Sequence, residues 1–140
     1  MYAKILVAVD LSEPVMTKLA LGAALEQAKI GKPQLRVINV QALAPMAFLD
    51  YMPPDLDQKI RESAEAELAK EAARINYPQE LLSTVLRLGG VYSEILAEAE
   101  EWGADLIVIG SHRPSMSTYL LGSNAKTVVR HAKCSVLVAR

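Results

Sequence analysis

The 140 residues hold one cysteine, Cys134, and only two histidines, His112 and His131. A single thiol excludes an intramolecular disulfide, a Cys-rich zinc site and a redox pair, and it suits a reducing compartment. Neither histidine has a cysteine or carboxylate at ligand spacing, and neither forms a triad with any serine that spacing can identify. Aromatic residues make up only 5% of the chain, so its 51% hydrophobic content is almost wholly aliphatic. Charge of one sign is lacking as well. Fifteen Lys plus Arg against sixteen Asp plus Glu leave a formal charge of -1, which offers no global field to nucleic acid or an anionic membrane. No apolar run reaches membrane-spanning length, and the first, Ile5 to Val9, is too short for a secretory h-region and stops at Asp10. The expectation is a cytoplasmic protein of one domain, residues 1–140, with a core of its own.

What is present is an alternation of two periods. Ile5 to Val9, Leu106 to Ile109 and Val136 to Ala139 are short, nearly continuous apolar runs, as in strands buried on both faces of a parallel sheet. Leu35 to Val40 and Thr84 to Leu88 are interrupted by Arg36, Asn39 and Arg87, as expected nearer a sheet edge. Between them run helical stripes: Met16, Leu19, Ala20, Ala23 and Ala24; Ile60, Ala64, Leu68, Ala72 and Ile75; Tyr92, Ile95, Leu96, Ala99 and Trp102; and, after Gly122, Ala125, Val128, Val129 and Ala132. Strict alternation of strand and helix predicts a doubly wound α/β fold with five parallel strands and right-handed crossovers. The irregular stretch is Gln41 to Asp57, where Pro45, Pro53 and Pro54 break the period; Phe48, Tyr51 and Met52 there form a flap, an oligomer contact or a loop tucked onto itself.

Ligands of open α/β sheets bind beyond the carboxyl ends of the strands. After the first strand comes Asp10-Leu11-Ser12-Glu13-Pro14, in which Ser12 reads as a helix N-cap and Pro14 as a first-turn residue. Asp10 is left at the strand tip, to meet a ribose hydroxyl, an adenine amino group or a metal, or simply to close an Asx turn. After the fourth strand, Gly110 to Asn124 is far longer than a usual βα connection. Gly110 permits close backbone approach, and Gly122-Ser123-Asn124 opens a helix whose amides and dipole favour an anion. Arg113 adds positive charge within the loop, whereas Lys126 and Arg130 fit solvent-exposed helix positions. There is no Gly-x-x-x-x-Gly-Lys-Ser/Thr and no Gly-x-Gly-x-x-Gly, which argues against a P-loop enzyme and a dinucleotide site.

Lys4 to Ser12, Ala104 to His112, Gly89-Gly90 before Glu94, and Cys134 to Arg140 together resemble the universal stress protein family, over the whole chain. Nucleotide-binding members carry Gly-x-x-Gly, nine residues, then Gly-Ser or Gly-Thr. Here Arg113 replaces the second glycine, and eight residues precede Gly122-Ser123. Ser111 to Pro114 and Thr118 to Asn124 are similar to a branch that reads Ser-His-Arg-Pro and closes Thr-Tyr-Leu-Leu-Gly-Ser-Asn. The resemblance implies a Rossmann-like, three-layer, adenine-nucleotide-binding domain with strand order 3-2-1-4-5. By that resemblance Ala8 and Asp10 line the nucleoside pocket, Val40 meets adenine through its backbone, and Gly110, His112, Arg113, Gly122, Ser123 and Asn124 surround ribose and phosphates. It further implies ATP as the ligand, with Asp10 a candidate for accompanying Mg, and a homodimer through the C-terminal strand or a tetramer. An ATP-dependent stress-response module, docking on another protein in its bound state, is the favoured reading. A slow ATP hydrolase and a nucleotide-free oligomerisation protein are the alternatives.

Overall fold

In the computed structural model, which describes residues 1–42, 51–111 and 121–140, the first strand is the centre of the sheet. This strand, β1 (Lys4–Ala8), pairs in parallel with β2 (Gln34–Gln41) on one side and β4 (Leu106–Gly110) on the other. β3 (Leu82–Leu88) extends the sheet beyond β2, and β5 (Ser135–Ala139) beyond β4, giving the order β3-β2-β1-β4-β5. Ile5, Leu6 and Val7 have no exposed surface, as a run of successive apolar residues must when both faces of its strand are covered.

Alternation along each strand divides the core into two layers. Ile5, Val7, Leu35, Val37, Leu106 and Val108 pack with Ala20, Leu21 and Ala24 of α1 (Pro14–Ala28) and Leu68 of α2 (Leu56–Ala73). Leu6, Ile38, Ile107 and Ile109 pack with Ile95 and Ala99 of α3 (Val91–Trp102) and Ala125 and Val128 of α4 (Ser123–His131). Gly103, in the left-handed conformation at φ 79°, ends α3 without a Cβ penalty.

Each helix offers the sheet a narrower strip than its apolar stripe. Leu19, Ile60, Tyr92 and Val129, expected on core faces, are exposed, whereas Ala20, Ala24, Ala64 and Ala125 of the same stripes are buried. Ile75 is buried as expected but follows the end of α2, and an unforeseen 3₁₀ turn, Gln79–Leu81, leads into β3. Cys134 packs, half-buried, beside the second core layer; burial raises its thiol pKa above the ordinary value.

Polar residues tie α3 to the sheet. Glu98, nearly buried, accepts from Arg36 of β2 at 2.9 Å and from Arg87 of β3 at 2.8 Å. Arg87 also reaches Glu101 and Glu94, both at 3.1 Å, and the Glu101 hydrogen bond leads the contributions that hold its pKa above the arginine norm. At the helix's far end the Arg36 guanidinium lies 4.5 Å from the Trp102 ring centre and the Lys4 ammonium 5.4 Å from it. The helix that walls one side of the crevice described next is thereby fixed at both ends.

Candidate functional site

The order β3-β2-β1-β4-β5 reverses its winding between β1 and β4, and there the carboxyl ends of the strands diverge around a cavity of about 370 Å³. Ala8, Val40, Val91 and Ile95 supply an apolar wall; Asp10 and Glu13 stand at the tip of β1; Gly110, Gly122, Ser123 and Asn124 close the β4 side. Seven of the nine nucleotide-site residues expected from sequence thus line one cavity. His112 and Arg113 lie outside the described residues.

The tip of β1 is held by side chains from two other elements. Asn39 Nδ2 donates to the Val9 carbonyl at 2.9 Å, and Val9 N–H donates to the Ile38 carbonyl at 2.9 Å. Thr17 Oγ1 accepts from Asp10 N–H at 3.2 Å and donates to the Asp10 carbonyl at 2.6 Å. Ser12 differs from expectation. Helix α1 starts at Pro14, so Glu13 occupies the cap position and makes no side-chain cap. Ser12 lies one residue too early and gives both N–H (3.0 Å) and hydroxyl (2.6 Å) to Asp10 Oδ1, a charge-assisted Asx turn.

On β2, Ile38 accepts on the β1 side and Gln41 accepts the Gly89 amide on the β3 side. Alternation therefore turns the Val40 peptide groups toward β1, at the level where β1 has already ended. The β4 side departs from expectation in two details. A Cβ at Gly110 would come to 3.0 Å from Met16 Cε and 3.5 Å from Met16 Cβ, so the absent side chain here leaves room for α1 as well as for the cavity. Gly122, the N-cap of α4, spends its own N–H on the Ser111 carbonyl at 2.6 Å, and its φ of -61° is open to any residue. The first helical bond runs from Lys126 N–H to Gly122 and no side chain caps the start. Ser123, Asn124 and Ala125 therefore carry the amides without an acceptor inside the helix.

Sequence reasoning passed over several polar residues of the cavity lining, Glu13 and Gln41 among them, and the two that hold the tip of β1 are Asn39 and Thr17. Both are buried, at 2% and 5% exposure. An amide between Ile38 and Val40 in the strand and a hydroxyl on the inward face of a first helical turn were the available signals. Among the described residues no three His, Cys, Asp or Glu side chains gather as a metal site, and no helix is long and apolar enough to cross a membrane.

A model of the universal stress protein family matches residues 1–140. The chain belongs to that family. Universal stress protein G of Shigella flexneri is 42% identical over 84 residues, 60% of this chain and 59% of that protein; the aligned stretch spans about three fifths of the first curated relatives. Universal stress protein A homolog 1 of Coxiella burnetii is 32% identical over 141 residues, with 97% of this chain and 94% of the relative covered. Among solved structures, universal stress protein UspA from Lactobacillus plantarum matches with a TM-score of 0.74 and 30% identity, over 99% of this chain and 98% of that one. A universal stress protein in complex with cAMP matches with a TM-score of 0.71 over 99% and 97% of the two chains, and at 18% identity it speaks for the fold alone. This universal stress protein thus shares the layered sheet of its relatives, with its cavity at the reversal point of that sheet.

Proposed function

We propose that this universal stress protein binds an adenine nucleotide, ATP, in the crevice between β1 and β4, and acts as a nucleotide-dependent regulatory module in a stress response. The observation that carries the reading is one cavity that combines an apolar wall, an acidic strand tip and an uncapped helix start. Adenine fits the wall of Ala8, Val40, Val91 and Ile95, with the Val40 peptide groups along its edge. Phosphates fit the amides of Ser123 to Ala125, where the helix dipole favours negative charge, with Gly110, His112 and Arg113 contributed by the adjoining loop. Asp10 and Glu13 repel phosphates from the β1 side and so orient the ligand.

The cavity lies within the size range of small-molecule sites. Bound ATP would bring its own Mg²⁺ on the phosphates. Fast hydrolysis needs a positioned water and groups that stabilise the transferring phosphoryl, and Asp10 and Glu13 are the carboxylates lining the described cavity. Binding with slow turnover is the outcome this favours. A cytoplasmic homodimer joined through the edge strand β5 completes the proposal, since Val136 and Val138 leave apolar surface at an unpaired edge. Native mass spectrometry of the purified protein and calorimetry with ATP, AMP and adenosine test it. A co-purified adenine nucleotide, or ATP heat with a dissociation constant below about 1 mM, supports the reading; no binding of any of the three refutes it.

A further inference from the structure

Sheet order alone spreads a nucleotide across the crevice. β2 offers Val40 to the base, α4 behind β4 offers its amides to the phosphates, and β1 lies between them with its neighbours about 5 Å away on either side. The sugar of a ligand so placed sits over the tip of β1. The group waiting there is Asp10, whose Oδ1 is already engaged twice by Ser12. Among the described residues nothing is bonded to Oδ2, and an ionised carboxylate accepts hydrogen bonds but repels phosphate.

What makes this carboxylate specific is how little its backbone can move. Thr17, 5% exposed, uses one hydroxyl to accept from the Asp10 amide and to donate to the Asp10 carbonyl. The Asp10 carbonyl also receives the Glu13 amide at 3.0 Å, and the preceding carbonyl, of Val9, is held by buried Asn39. The Asp10 backbone is therefore set before any ligand arrives and Ser12 holds its Oδ1, so that the ordering cost of binding is reduced.

We propose that Thr17 is a positioning residue, which presets Asp10 to accept from the ribose hydroxyls and so makes the site prefer ribonucleotides over 2′-deoxyribonucleotides. The inference rests on the ATP-binding reading above and adds a selectivity to it. Calorimetry with ATP and with 2′-deoxy-ATP, on wild type and variants, reads the preference as a ratio of affinities. Wild type favours ATP by roughly tenfold, the size expected of a hydrogen bond to an ionised group. Thr17→Val, nearly isosteric, lowers ATP affinity by about the same factor and leaves 2′-deoxy-ATP within about twofold, so the ratio falls toward one. Thr17→Ser keeps the hydroxyl and keeps the ratio. Equal losses for both ligands in Thr17→Val would reduce Thr17 to a structural support and overturn the inference. Equal affinity of wild type for the two ligands would overturn it while leaving nucleotide binding intact; binding of neither would remove both readings. Should Thr17→Val not fold, exposed Ser12→Ala decides: a smaller ratio supports the preset carboxylate, and an unchanged ratio refutes it.

Discussion

Replacing Glu98 by alanine removes the carboxylate that joins β2, β3 and α3, and the structure fixes how much this should cost. Glu98 is 7% exposed and accepts one guanidinium N–H from Arg36 and one from Arg87. Breaking a fully buried ion pair typically costs about 3 to 5 kcal/mol, chiefly because the surviving charge is stranded. Here the survivors are not stranded. Arg36 and Arg87 side chains are 26% and 20% exposed; Arg87 keeps Glu94 and Glu101, and Arg36 keeps Ser83 Oγ at 2.9 Å and the Trp102 face. The partial exposure screens what remains, so the loss is about 2 kcal/mol, of which some is the packing of the deleted methylenes. For a chain of this length that is a fall of roughly 5 °C in the thermal midpoint, read by circular dichroism. Glu98→Gln, which keeps an acceptor and the volume, should lie between wild type and alanine. Glu26→Ala removes a fully solvated partner of Lys29 and should leave the midpoint unchanged. A Glu98→Ala midpoint equal to that of wild type would show that the network repays only its own desolvation and would refute the reasoning.

Gly122→Val sets a branched side chain at the start of α4, on the cavity lining, and should weaken ATP more than adenosine in calorimetry; equal affinities for wild type and variant would take the helix start out of the site. Arg113→Ala should weaken ATP about tenfold or more by losing a charge-assisted phosphate contact, with adenosine nearly unchanged, and an unchanged ATP affinity refutes the clamp. Val138→Lys on the edge strand should give a monomer in light scattering, whereas a mass that stays dimeric places the interface elsewhere. Because burial raises the Cys134 pKa, less thiolate is present at any pH below it; iodoacetamide should label the native protein at about pH 8 more slowly than the urea-unfolded chain, and equal rates would refute the burial argument.

The apolar runs located all five strands to within two residues at each end because a strand covered on both faces leaves a continuous signature. The crevice was legible for a related reason: Asp10 ends an apolar run, and Gly110 to Asn124 is too long for an ordinary connection. Who holds whom was not legible. Asn39 reaches Val9 across 30 positions, and Arg36 reaches Glu98 across 62, through pairings that exist only once the strands are in register. Arg36, Asn39 and Arg87 therefore looked like interruptions of a strand, when they are its links to the neighbouring elements. Ser12 shows the local version of the same problem. A one-residue difference in where the helix starts converts a cap into the partner of a carboxylate.

Trp102, the one tryptophan of the chain, closes α3 eleven residues after Val91 has entered the crevice wall, about 16 Å along the helix axis. Its indole lies at the amino-terminal edge of the sheet, within reach of the Lys4 and Arg36 cations. The intrinsic emission of the protein therefore observes the end of the sheet opposite the crevice. Unfolding followed by that emission is read from a ring that a crevice ligand does not touch, although such a ligand still raises the midpoint by mass action.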